Sequence, residues 1–109
     1  MAITDANKTS LSANGESAMV ALREGRNNVA FWSDDGGDPP TPAAWGGASV
    51  AVKYSPDGVV KMDAKDAPGG TSITLTADET ITIQGSGKDF VFFELSSQSG
   101  QPKRMGVVT

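Results

Sequence analysis

Ser72-Ile73-Thr74-Leu75-Thr76 and Thr80-Ile81-Thr82-Ile83 alternate aliphatic with hydroxyl side chains, and the short link Ala77-Asp78-Glu79 joins them. An extended chain sends successive side chains to opposite faces, so this alternation marks strands with one face turned to a core. Two such strands so close in sequence read as a hairpin.

The same period recurs outward from this pair. Val50, Val52 and Tyr54 alternate with Ala51 and Lys53, whereas Phe90-Val91-Phe92-Phe93-Glu94-Leu95 is apolar almost throughout. The second pattern predicts a central strand covered on both sides. Ser17 to Leu22, Asn28 to Trp32, Val59 to Met62 and Met105 to Val108 are further short candidates, and Arg23 to Asn27 turns the chain between the first two. No long amphipathic helix interrupts the series. The expected fold is all-β: a small β-sandwich or jelly-roll-like barrel of about eight short strands. Residues 1–12, without periodicity up to about Ser10, are expected as an extended N-terminal arm, and residues 13–109 as a single domain.

Composition narrows the function. The chain has 109 residues, with 9 Lys and Arg against 13 Asp and Glu, a formal net charge of −4. Nucleic-acid binding draws on many cationic contacts to phosphate, so that balance argues against it. Leu, Ile, Val and Phe supply only 21 residues, while Gly and Pro supply 13 and 6. The core is therefore thin and the chain heavily turned. There is no His and no Cys, which excludes Ser-His-Asp and Cys-His catalysis, thiolate or imidazole zinc, and disulfide support. Small domains without such staples are commonly supported by assembly. The start lacks the basic and apolar regions of a secretion signal, and no run approaches a bilayer span. Asn7-Lys8-Thr9 forms a glycosylation sequon, read here as part of a polar arm.

Several positions could carry a site. Asp34, Asp35 and Asp38 lie in a loop from Ser33 to Gly47 that holds three prolines and four glycines. They could ligate Ca²⁺, but they lack the closing Glu of an EF-hand, and a solvated turn accounts for them. No pair among the acids stands out for glycoside hydrolysis, so no catalytic residue, metal or cofactor is assigned. Trp32 and Trp45 flank the loop. Exposed, they could stack on sugars as in a carbohydrate-binding module; buried, Trp32 would end a strand in the core and Trp45 would anchor the loop. Lys8, Lys103 and Arg104 read as solvated charges or rim contacts.

Val50-Ala51-Val52-Lys53-Tyr54-Ser55-Pro56-Asp57-Gly58 is the most specific stretch. Pro56 sets φ at the first corner, and Gly58 supplies a left-handed position before the return strand. This strand and turn, with Leu75-Thr76-Ala77-Asp78 and the Phe90 to Leu95 strand following in order, is similar to small β-sandwich structural proteins of tailed-bacteriophage virions, of the capsid decoration and head-fibre kind. The resemblance spans roughly residues 48–96; Met62 lies where chains of that kind commonly carry Trp. It implies a non-enzymatic virion protein, made in the host cytoplasm, that binds the major capsid protein on the outer capsid surface and stabilises the head. A tail, collar or head–tail component is the alternative in the same class, and a carbohydrate-binding module the alternative outside it. A homo-oligomer, a trimer or other cyclic assembly, is expected, with neither nucleic acid nor membrane as partner. The contact residues expected are Ile3, Thr4, Asn7 and Lys8 of the arm and Pro39, Pro40 and Trp45 of the loop.

Overall fold

Hydrophobic pattern and burial agree along the two strands that organise the domain, one alternating and the other apolar almost throughout. In a computed structural model describing residues 7–65 and 69–108, β5 (Ser49–Ser55) pairs antiparallel with β9 (Phe90–Ser96) over their full lengths. Val50, Val52 and Tyr54 stand opposite Leu95, Phe93 and Val91, which brings the apolar positions of both strands to one face. Around them, β2 (Gly15–Glu16) and β3 (Val20–Ala21) pair with the other edge of β9, and β6 (Met62–Asp63) and β7 (Thr74–Leu75) with that of β5. A second sheet runs β1 (Lys8–Leu11), β10 (Lys103–Val107), β4 (Gly25–Ser33), β8 (Glu79–Gly85). All pairings are antiparallel, and no α-helix occurs among the described residues. The chain is an all-β protein of two sheets, consistent with a small β-sandwich.

The core lies between the sheets. Val29, Phe31, Met105 and Val107 of one sheet are buried with Val50, Val52, Val91, Phe93 and Leu95 of the other. Phe31 meets Phe93 edge to face at 6.3 Å between ring centroids, the geometry that sets a positive ring edge against a negative face. Phe92 is buried on the opposite, outer side of β9. The ammonium of Lys61 lies 5.8 Å above its ring and is paired with Glu16 at 2.6 Å. β9 is thus covered on both faces, as its continuous apolar run predicts.

Three expectations require correction. The segments 72–76 and 80–83 do not form a hairpin: β7 pairs with β5, whereas β8 pairs with β4 in the other sheet. Asp78, in the link, explains the crossing. Its Oδ1 accepts hydrogen bonds from the Trp45 indole at 2.7 Å and the Ser33 backbone N–H at 3.0 Å, drawing the chain across to the second sheet. Second, the described end of the arm is not unpaired, because Lys8 to Leu11 add β1 to the edge of β10, opposite Gly106 to Lys103. Third, Ser17 to Leu22 is not one strand but the short β3 with loop on either side, while β4 begins at Gly25 within the expected turn. Asn27 secures that turn, accepting from the N–H of Arg23 and donating to the carbonyls of Arg23 and Gly25.

Candidate functional site

Two loops, each held by carboxylates, shape the surface around several of the positions singled out by sequence. In the first, Asp35 Oδ1 accepts the N–H groups of Gly37 and Thr41, each at 2.9 Å. Those bonds, that from Thr41 foremost, hold the Asp35 carboxyl below its ordinary value. Asp34 Oδ1 accepts from Gly36 N–H at 2.9 Å and Arg104 Nε at 3.1 Å, while Oδ2 accepts from the Trp32 indole at 2.9 Å. Burial alone would raise the Asp34 pKa; the Gly36, Trp32 and Arg104 donors outweigh it and leave the group lowered. These acids brace a loop. Among the described residues, no three acidic side chains converge closely enough to hold a metal ion.

Pro39 and Pro40 are exposed at the tip of this loop. Trp45 is not exposed, which corrects its assignment as a contact or sugar-stacking residue: it is 6 % accessible and packed in the core. Lys103 needs the same correction, since it is 1 % accessible. Its ammonium lies 5.9 Å from the Trp45 ring and donates to Gln98 Oε1, Ser99 O and Gln101 O at 3.1, 2.9 and 2.6 Å. Burial lowers its pKa, and three acceptors make the buried cation tolerable. Trp32 also departs from expectation. Instead of ending in the core, it lies half-buried on the outer face of its sheet, beside a shallow depression of about 450 Å³ lined by Ala30, Glu79 and Thr80. Arg104 is half-buried against Asp34 rather than solvated.

In the arm, Asn7 donates from its side chain to Val107 O at 2.7 Å, and Lys8 opens β1. Ile3 and Thr4 lie outside the described residues.

The second loop is the Ser55 to Lys61 turn. Its geometry follows the sequence as far as Gly58, whose φ is +86° and whose N–H donates to Ser55 Oγ at 2.8 Å. Beyond the glycine the expected return strand, Val59 to Met62, fails. Asp57 Oδ1 accepts the N–H groups of both Val59 and Val60 at 2.8 Å, diverting them from any ladder. Pairing with β5 begins only at Met62. Val59, Val60 and Met62 are consequently left 78 %, 51 % and 50 % accessible, the large exposed apolar residues of the described chain. The residues under them are well anchored: Gly58 abuts Phe90, and Lys53 pairs with Asp63 at 2.6 Å. Each partner of that pair shifts the other, raising Lys53 and lowering Asp63. Sequence reasoning missed this apolar knob because three apolar residues after a turn glycine look like a strand. The signal against it was Asp57, whose side chain can cap the next two amides.

No family model, no curated protein and no solved structure matches this chain.

Proposed function

We propose that this chain is a non-enzymatic structural subunit that docks onto a larger protein assembly, the outer surface of a tailed-phage capsid, and stabilises it there. The observation that carries the reading is the knob of Val59, Val60 and Met62. Apolar side chains clustered on a well-braced turn lose little conformational freedom on docking, so most of their burial counts toward affinity. The resemblance of the 48–96 region to virion structural proteins selects the assembly. Stabilisation would operate by linkage: a ligand that binds only the assembled shell shifts the equilibrium away from its dissociated subunits. The major capsid protein is then the partner, and self-association into a cyclic oligomer would add avidity. A tail or head–tail location rests on the same knob and the same resemblance.

A carbohydrate-binding module is the second reading, favoured by the half-exposed Trp32 beside its depression. One experiment separates the two. Wild-type protein, the Val59→Ser/Val60→Ser/Met62→Ser variant and Trp32→Ala are co-sedimented with expanded, undecorated capsids and, in parallel, with insoluble polysaccharides. Capsid binding abolished in the triple variant and kept in Trp32→Ala supports docking. Polysaccharide retention lost in Trp32→Ala, with no capsid binding by wild type, replaces it with the sugar reading.

A further inference from the structure

Each sheet of a sandwich has two edges, and an edge strand offers unpaired backbone groups to any chain that can align with it. Among the described residues, three of the four edges are short. β2 and β3, and likewise β6 and β7, are two residues each, and β1 is four residues beginning with the exposed Lys8. β8 differs. It runs seven residues, Glu79 to Gly85, in unbroken register with β4 and without a bulge. It contains no Lys, Arg or Pro, and Glu79 is its single charge. Thus no lysine, proline or bulge, devices that commonly deter pairing, interrupts Thr80-Ile81-Thr82-Ile83-Gln84. Because β7 crosses to the other sheet, a groove of about 440 Å³ opens beside this edge, with Ile73, Leu75 and Ile81 among its lining residues.

We infer that β8 is a self-pairing edge: two copies of this chain join there, antiparallel about a two-fold axis through Thr82, fusing two four-stranded sheets into one of eight. The sequence of the strand selects this occupant. In antiparallel pairing, opposite residues share a face. With Thr82 opposite its own copy, Ile81 faces Ile83 and Thr80 faces Gln84, so apolar meets apolar and polar meets polar twice over. Ile81 and Ile83 are only half-buried in the monomer, and this register covers them. The charge pattern agrees, since each Glu79 falls opposite the uncharged Gly85 and the two carboxylates stand at opposite ends of the ladder. A one-residue slip would set Ile against Thr throughout. The inference concerns the protein alone and is independent of the capsid reading.

Sedimentation velocity across a concentration series gives the first test, with a monomer–dimer equilibrium expected. Thr82 is exposed, its hydroxyl 3.2 Å from Asn28 Oδ1, so Thr82→Lys leaves the core intact while setting two ammonium groups face to face. That variant should dimerise at least ~10-fold more weakly with an unchanged far-ultraviolet circular dichroism spectrum. The register is tested by cross-linking, aided by the absence of natural cysteine. Thr82→Cys should form a disulfide-linked dimer under mild oxidation, because the two positions meet within bridging distance. Thr80→Cys should not, because its copy lies four residues along the ladder, ~13 Å away. A wild-type protein that is monomeric throughout the series overturns the inference, as does a Thr82→Lys dimer of undiminished strength. Equal cross-linking of the two cysteine variants overturns the register.

Discussion

The Asp34 to Gly47 loop and the Pro56 to Lys61 turn solve the same local problem in the same way and present opposite results. In each, one carboxylate oxygen accepts two backbone N–H groups: Gly37 and Thr41 on Asp35, Val59 and Val60 on Asp57. The first loop returns its large aromatic, Trp45, to the core and leaves prolines outside. The second leaves its aliphatic residues outside. Local bracing therefore does not determine what a loop offers to a partner; the long-range bonds do. Trp45 has Asp78 and Lys103 to meet it, and the Val59 side chain is left 78 % accessible.

The contrast breaks most visibly at Trp45. If the first loop is an anchor, Trp45→Ala should remove a buried ring and leave Asp78 without its indole donor, costing ~3–5 kcal/mol in denaturant unfolding. A cost under about 1 kcal/mol would return Trp45 to the surface and the loop to the list of contact elements. Gly58→Val comes next. A side chain there meets a left-handed φ of +86° and Phe90 Cε1 at 3.0 Å from the new Cβ. The expected loss is ~2 kcal/mol, read from thermal or chemical unfolding, and an unchanged midpoint would refute the turn geometry that raises the knob.

Both positions also measure what the sequence discloses. Alternation at Val50, Val52 and Tyr54 identifies a strand and its inner face because that information is local, a matter of period alone. Gly58 is equally legible, since few other residues tolerate its φ. Partners are not local. Thr74 and Thr82 carry the same pattern, yet one strand joins β5 and the other β4, and the difference rests on Asp78 reaching Trp45 and Ser33 across long stretches of chain. Lys103 is illegible for the same reason: a lysine reads as solvated until three acceptors close around it. β1 has almost no pattern to read, because Leu11 is the single aliphatic residue in Lys8 to Leu11 and the ladder with β10 sets its place.

A smaller effect bears on the anchoring of β5 itself. Tyr54 donates to Asp89 Oδ2 at 2.6 Å, and that hydrogen bond, then burial, then the carboxylate charge push the phenol up to about 12. The folded protein therefore holds this proton more tightly than the unfolded chain, whose tyrosine titrates near ~10. Its contribution to stability is complete below that value and is lost as the pH rises from there toward about 12. The chain has one tyrosine, so phenolate absorbance reports this group alone. Asp89→Asn should bring its midpoint down toward the ordinary value, and an unshifted titration in the wild type would remove Asp89 as the partner.

The smallest effect on stability is the most discriminating. Val59→Ser and Val60→Ser, singly or together, should change the unfolding free energy by no more than ~0.5 kcal/mol, because both side chains lie outside the core and are 78 % and 51 % accessible. The amides stay bound to Asp57, so the hydrogen-exchange protection factors at both positions, corrected for the intrinsic rates of the new side chains, should also be unaltered. If stability falls by ~1 kcal/mol or more, the valines are packed in solution and the turn is an anchor like the first loop. If stability holds, the two loops differ as the structure describes, and any loss of capsid binding in these variants belongs to the lost contact surface rather than to a damaged fold. That separation is available at Val59 and Val60 and not at Trp45, where removing the side chain disturbs the core and every function that depends on it.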